Sequence, residues 1–224
     1  MYRKAKPEAP APKKKRLIDY LPGALFASAV IVTCIGLVIA FQQQHSNTQA
    51  AKAASSKSSP STKKPAPTEL DSYTVAPDMP RYIVIPKLSV KARVLTVGLI
   101  KGNQIGSPAN VYDTAWYTGT SKPGQPGVSL IDGHVSSWST QGVFYSLKTL
   151  RAGDTIQITL GNDTLLNYSV VKTRTYDSNN IDMTALLSPV DPAKSGLNLI
   201  TCAGDVIKGT NEFSKRVVVF AEKT

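Results

Sequence analysis

The chain has 224 residues and a formal net charge of +11, a length that fits one ordinary domain plus appendages. Residues 1–78 hold 11 Lys+Arg against 5 Asp+Glu, and residues 79–224 hold 15 against 10. The N-terminal excess is clustered at Arg3, Lys4 and Lys6, then Lys13, Lys14, Lys15 and Arg16; such a run suits nucleic acid in principle, but its neighbour sets that role aside.

From residue 21 to residue 41 there is no charged side chain. As a helix this stretch is about 30 Å long, the thickness of a bilayer's hydrocarbon core. A buried soluble helix rarely stays apolar on every face for so long. A cleavable signal peptide, cut near Ala50-Ala51, fits less well: the apolar core is long, and Phe41-Gln42-Gln43-Gln44 follows it. Basic residues flanking a span stay cytoplasmic. The expectation is therefore a cytoplasmic basic tail over 1–20, a single transmembrane signal anchor over 21–41, and an extracellular remainder in the cell membrane. The basic run then also meets anionic lipid.

Residues 42–78 are rich in Gln, Ser, Ala, Lys, Pro and Thr. So few large apolar side chains cannot offset chain entropy, and the stretch is expected to be a disordered linker. His45 lies in it without company and is read as exposed and idle. Of the two cysteines, Cys34 falls in the span, where it packs as a small apolar residue. Cys202 is alone outside the membrane and has no intrachain disulfide partner. A lone cysteine is most often a buried, inert one; an unpaired thiol in an oxidising compartment also raises the question of reactivity.

From residue 79 onward the texture changes to short β-type runs. They cover residues 82–86, 90–99, 128–131, 155–160, 165–175, 197–201 and 216–221. Turn residues separate them: Pro123-Gly124-Gln125-Pro126-Gly127, Ala152-Gly153-Asp154, Gly161-Asn162-Asp163 and Ser188-Pro189. Seven or eight short strands without a long amphipathic helix predict an all-β barrel or sandwich over 79–224. Apolar residues spaced by three and four predict a short helix over 143–150. There is no internal repeat and no phosphate-binding glycine loop. From residue 79 onward there are one histidine and one cysteine, too few for a zinc site.

Three residues at strand boundaries carry chemistry. Cys202 closes the run Asn198-Leu199-Ile200-Thr201. His134 closes the run that begins at Val128. Arg216 opens the run that ends at Ala221. A thiolate is the reactive form of sulfur and divides one hard acyl transfer into two easier ones. An imidazole can donate and then accept a proton, and a guanidinium offers a permanent charge with several donors. Taken singly, His134 reads as a surface histidine, Arg216 as a solvated charge beside Lys215, and Thr201 as an ordinary β-branched strand residue.

Leu199-Ile200-Thr201-Cys202 resembles the Thr-Leu-x-Thr-Cys signature of sortases. Gly133-His134 after an apolar run resembles their catalytic histidine strand, and Arg216 at the head of a strand is similar to their catalytic arginine. The order His, Cys, Arg matches. Ile85-Pro86-Lys87-Leu88-Ser89-Val90 resembles the first barrel segment. The glycine–proline turn at 123–127 and the segment 144–154 resemble those flanking the histidine strand. The likeness spans about 81–222. It implies a closed β-barrel of about eight strands with short helices, and a membrane-anchored cysteine transpeptidase. Cys202 would attack a Leu-Pro-x-Thr-Gly-like sorting signal on surface proteins and form a thioester. An amine of a cell-wall precursor would then resolve it. His134 would transfer the proton, Arg216 would hold carbonyl oxygen, and the backbone or hydroxyl of Thr201 would help position the oxyanion. The resemblance implies no cofactor.

The sequence departs from the pattern at three places. Asn198 stands where the signature has Thr. Val135 follows the histidine where many relatives have a polar residue. Residues 75–81 lack the Asp-Pro-aromatic lid motif of pilin-polymerising sortases, which favours a general anchoring role. Two other readings use the same residues: a cysteine hydrolase, in which water resolves the thioester, and a non-catalytic adhesion module on a membrane stalk. The adhesion module predicts that His134 and Arg216 do not converge on Cys202.

Overall fold

The computed structural model of the chain describes residues 59–137 and 139–224. The expected basic tail, the span at 21–41 and residues 42–58 of the expected linker lie outside the described residues. Among the described residues no helix is long and apolar enough to cross a membrane.

Eight strands close into a barrel: β1 (Pro80–Ile85), β2 (Val90–Val97), β5 (Thr114–Tyr117), β6 (Gly127–Gly133), β9 (Thr155–Leu160), β10 (Leu165–Asp177), β11 (Ser195–Val206) and β12 (Phe213–Lys223). Their order around the barrel is β1-β2-β5-β6-β11-β12-β10-β9. The β2/β5 and β6/β11 pairs are parallel and the other six are antiparallel. Two short hairpins project from it: β3 (Leu99–Ile100) with β4 (Gln104–Ile105), and β7 (Ser136–Ser137) with β8 (Thr140–Gln141). The helices are short, α1 (Pro67–Asp71) and α2 (Met183–Leu186).

The all-β barrel agrees with the expectation, and the pattern of burial explains why some of its strands lack alternation. In β12, residues 217 to 221 are all buried. Val217, Val219 and Ala221 point into the barrel core with Ile83, Phe144 and Leu199. Val218 and Phe220 face outward, against Leu130 of β6 and Leu186 of α2. Covering a sheet on both faces turns an alternating strand into a continuous apolar run.

The structure corrects several boundaries. The short β5 was not among the expected strands: four residues with a mixed composition carry no alternation to detect. The segment expected as a helix over 143–150 has only a 3₁₀ turn, Leu147–Thr149. Cys202 and Arg216 do not sit at strand ends. β11 continues to Val206 and β12 begins at Phe213. The extensions run past the core, with Gly204, Asp205, Val206 and Lys215 exposed, and the register slips between Ala203 and Val206.

Residues 59–78 of the expected linker lie on the barrel. Ser61 bridges to Asn110. Tyr73 donates its hydroxyl to the Val94 carbonyl at 2.9 Å, and the Tyr82 hydroxyl donates to the Leu70 carbonyl. Polar composition hid this, since the attachment is made of hydrogen bonds and two tyrosines instead of an apolar stripe. Burial pushes the Tyr73 phenol up to about 12. Its ring lies under the Arg93 guanidinium, 5.7 Å away.

Arg93 also grips Asp113, just ahead of β5, through Nε–Oδ1 at 2.9 Å and Nη2–Oδ2 at 2.7 Å. Asp113 is buried and the Arg93 side chain is about one-fifth exposed. Removing one partner of such a pair strands the other charge in a poorly solvated place. Asp113→Ala is expected to lower stability by about 3 kcal/mol, the low end of the range for a broken buried pair because Arg93 is partly solvated. Chemical denaturation measures it; a loss well under 1 kcal/mol would mean that solvent already screens the pair.

Candidate active site

β11 lies between β6 and β12, and that placement assembles the site. On one side Cys202 is the direct cross-strand partner of Arg216, a position that puts Cβ atoms about 4.5–5.5 Å apart. On the other side the parallel register pairs Ile200 with Asp132. One residue further, the Thr201 hydroxyl donates to the Gly133 carbonyl at 2.7 Å. His134 is the next residue after Gly133, so it leaves β6 alongside Cys202. Since side chains alternate, Asp132, Ile200, Cys202, Arg216 and Val218 share the outer face of the sheet. Ile200 and Val218 pack there in the cluster that contains Leu186 of α2.

Each polar head is held. Arg216 donates Nη1 to the carbonyls of Phe213 and Lys215, both at 2.9 Å. Its Nε and Nη2 make no hydrogen bond among the described residues. His134 Nε2 lies 2.7 Å from the Pro108 carbonyl. Cys202 is a free, half-buried thiol. It borders a cavity of about 280 Å³ walled by Val135, Ser136, Tyr145, Lys148 and Phe213. A second cavity of about 570 Å³ lies beyond Tyr145 and Ser146, reaching Lys64 and Lys91. Among the described residues no group of three or more His, Cys, Asp or Glu could hold a metal ion.

Burial pushes the Cys202 thiol up, Arg216 pulls it down, and Asp132 and Glu212 push it up again. Cys202 therefore rests as a thiol near neutral pH, with thiolate the minority form. Burial likewise pushes the Asp132 carboxyl up, opposed first by His134, then by the Ser107 hydroxyl, the Gly133 amide and Arg216. Asp132 was not among the expected site residues, although a carboxylate inside an apolar strand, two residues before His134, is a visible anomaly. Removing its charge should let the thiolate form at lower pH. Asp132→Asn is thus expected to move the pH midpoint of Cys202 alkylation by iodoacetamide downward, read by mass spectrometry of the Cys202 peptide. An upward shift would show that Asp132 does not act on the thiol through its charge.

The sequence expectation for Thr201 needs correction at its hydroxyl. Thr201 is buried, and its one hydroxyl hydrogen goes to the Gly133 carbonyl, so it cannot donate to an oxyanion. Its side chain ties β11 to β6 beside His134 instead. The departure at Asn198 also has a structural reason. Asn198 is buried and its amide donates to the Leu186 carbonyl at 2.8 Å. It thereby satisfies an orphan carbonyl at the end of α2 and fastens that helix over the outer face. The shorter threonine side chain has no NH₂ with which to make this bond.

A thiol registered against an arginine, on a strand whose parallel neighbour leads into His134, is an arrangement suited to cysteine acyl-transfer chemistry. The sortase-domain family model matches residues 83–224, and the chain belongs to the sortase family. It is a cysteine transpeptidase of cell-wall sorting, acting on proteins that bear sorting signals. Among solved structures, sortase C-1 from Actinomyces oris is similar at 22% identity and TM-score 0.51, covering 82% of this chain and 96% of that one. A lid mutant of sortase A from Corynebacterium diphtheriae is similar at 19% identity and TM-score 0.51, covering 84% and 94%. Sortase C of Streptococcus pneumoniae follows at 16% identity and TM-score 0.50, covering 82% and 89%. At these identities the likeness is one of fold. No curated protein sequence matches the chain.

Proposed function

We propose that the enzyme is held in the cell membrane by residues 21–41, N-terminus inside and barrel outside, and that it joins surface proteins to an amine of the cell wall. Its substrate is a Leu-Pro-x-Thr-Gly-like sorting signal. With His134 protonated, the Sγ thiolate of Cys202 forms a bond to the threonine carbonyl carbon, and the Thr–Gly C–N bond breaks. His134 gives its proton to the departing glycine nitrogen. The amine of a peptidoglycan precursor then attacks the thioester, His134 takes a proton from it, the C–S bond breaks and the Cys202 thiolate is released. Arg216 offers its free Nε and Nη2 to the carbonyl oxygen as charge develops. The absence of an Asp-Pro-aromatic motif in residues 75–81 supports general anchoring over pilin polymerisation.

One observation carries this reading: Cys202 is registered directly against Arg216 and flanked by the strand that delivers His134. Mass spectrometry of the full chain with a panel of sorting-signal peptides tests it. A thioester on Cys202, and a transpeptidation product that appears only with added amine, are expected. A carboxylic acid product alone, whatever the amine, would make the enzyme a hydrolase. For the topology, protease added to intact protoplasts should remove the barrel; full protection would reverse the orientation.

A further inference from the structure

The histidine nitrogen that faces Pro108 is not free to carry catalytic protons. A carbonyl oxygen only accepts, so Nε2 at 2.7 Å from Pro108 must hold the hydrogen. In the neutral ring the lone pair then belongs to Nδ1. The tautomer of His134 is set by the position of one backbone carbonyl, in the loop between β4 and β5.

That loop is held from outside the barrel. Immediately after Pro108, Ala109 accepts from the Ser61 amide at 2.8 Å, and the Val111 amide donates to the Ser61 carbonyl at 3.0 Å. Between them Asn110 donates its side-chain amide to the Lys63 carbonyl at 2.8 Å, while its Oδ1 accepts from the Tyr112 amide at 3.0 Å. On the barrel side the Val143 amide donates to the Val111 carbonyl at 2.8 Å, and the Phe144 amide donates to the His134 carbonyl at 3.0 Å. Ser61 thus forms a single parallel bridge with Asn110 that clamps the loop next to the residue touching His134. Neither Ser61 nor Lys63 has a hydrogen bond to His134, Cys202 or Arg216, so any effect on the chemistry passes through the loop at 108–111, whose Pro108 carbonyl is the group that touches the imidazole.

We propose that residues 61–63 are a positioning strap for His134: by pairing with residues 109–111 they keep the Pro108 carbonyl on Nε2–H, so that Nδ1 is the nitrogen that gives and takes the proton. This rests on the reading of His134 as the proton-transfer group. In the first half-reaction Nδ1–H of the charged ring gives its proton to the leaving amine. In the second, Nδ1 of the neutral ring takes one from the incoming amine. Nε2–H stays on the Pro108 carbonyl throughout.

The chain has two histidines, so ¹⁵N-histidine labelling of the full chain in lipid nanodiscs gives two imidazoles, and His45→Gln assigns them. With the rings neutral, wild-type His134 should give a protonated signal for Nε2 and an unprotonated one for Nδ1. Ser61→Pro deletes the amide that Ala109 accepts, and Asn110→Ala deletes the tie to Lys63. Either should move both ¹⁵N signals toward an average of the two tautomers and lower kcat about tenfold with little change in KM, a part of what a positioned acid–base group contributes. Ser61→Ala keeps the amide and should keep the wild-type spectrum. An Nδ1–H tautomer in the wild-type protein would overturn the proposal. So would wild-type spectra and kcat in both loosened variants while His134→Ala is inactive. Full turnover by His134→Ala would instead remove the catalytic reading of His134 itself.

Discussion

Arg216→Lys is expected to depress kcat/KM for a Leu-Pro-x-Thr-Gly-type peptide by about 100- to 1,000-fold, the usual cost of losing one oxyanion donor. The charge survives the substitution, but the planar fork does not. In the structure Nη1 of that fork is anchored to the carbonyls of Phe213 and Lys215, while Nε and Nη2 make no hydrogen bond among the described residues. A lysine ammonium can either take over the anchoring carbonyls or reach the substrate, not both. The expected loss is in chemistry and not in folding, because Arg216 lies where β12 leaves the core and only residues 217–221 of that strand are buried. The measurement is steady-state cleavage across pH beside thermal melts. A melting temperature that falls in step with activity would make Arg216 structural, leaving His134 and Cys202 as the reactive pair. His134→Ala differs in kind: it should remove the proton-transfer partner, so the residual rate loses its normal pH dependence.

Cys202→Ala is expected to abolish the acyl-enzyme altogether, since no other described residue is a free thiol. Cys202→Ser should fail as well. A hydroxyl is the weaker nucleophile and holds its proton far more tightly than a thiol, and His134 is not expected to activate it as well as it does a thiol. Cys34→Ala, in the expected membrane span, should leave the rate nearly unchanged. Mass spectrometry of the enzyme after peptide addition reads all three directly. A thioester-sized adduct that persists in Cys202→Ala would mean that another residue is the nucleophile.

The thiol's resting state bears on how these variants are read. Because burial and two nearby carboxylates hold Cys202 up, any change that removes the Arg216 charge shifts the thiolate further toward alkaline pH. Arg216→Lys retains that charge, which is why it isolates fork geometry from charge more cleanly than Arg216→Ala.

The sequence by itself determined the chemistry and the class. Periodicity and turn residues are local, and they were sufficient for seven of the eight barrel strands. The candidate residues could be picked out because a cysteine without a partner in the barrel region, a histidine and an arginine each stood beside an apolar run. Only the tertiary structure decided how they meet. The pairing of Cys202 with Arg216 and the entry of His134 from a parallel neighbour depend on register between strands distant in the chain, and register leaves no mark in either strand alone. The same holds for Thr201, whose hydroxyl turned inward to Gly133, and for Asn198, whose departure from the signature is explained by a helix end that its side chain reaches. The Ser61 strap was hidden most completely. Its hold on the barrel is made of backbone hydrogen bonds between segments far apart in sequence, and such bonds are available to nearly any side chain, so composition alone gave residues 59–78 to the linker.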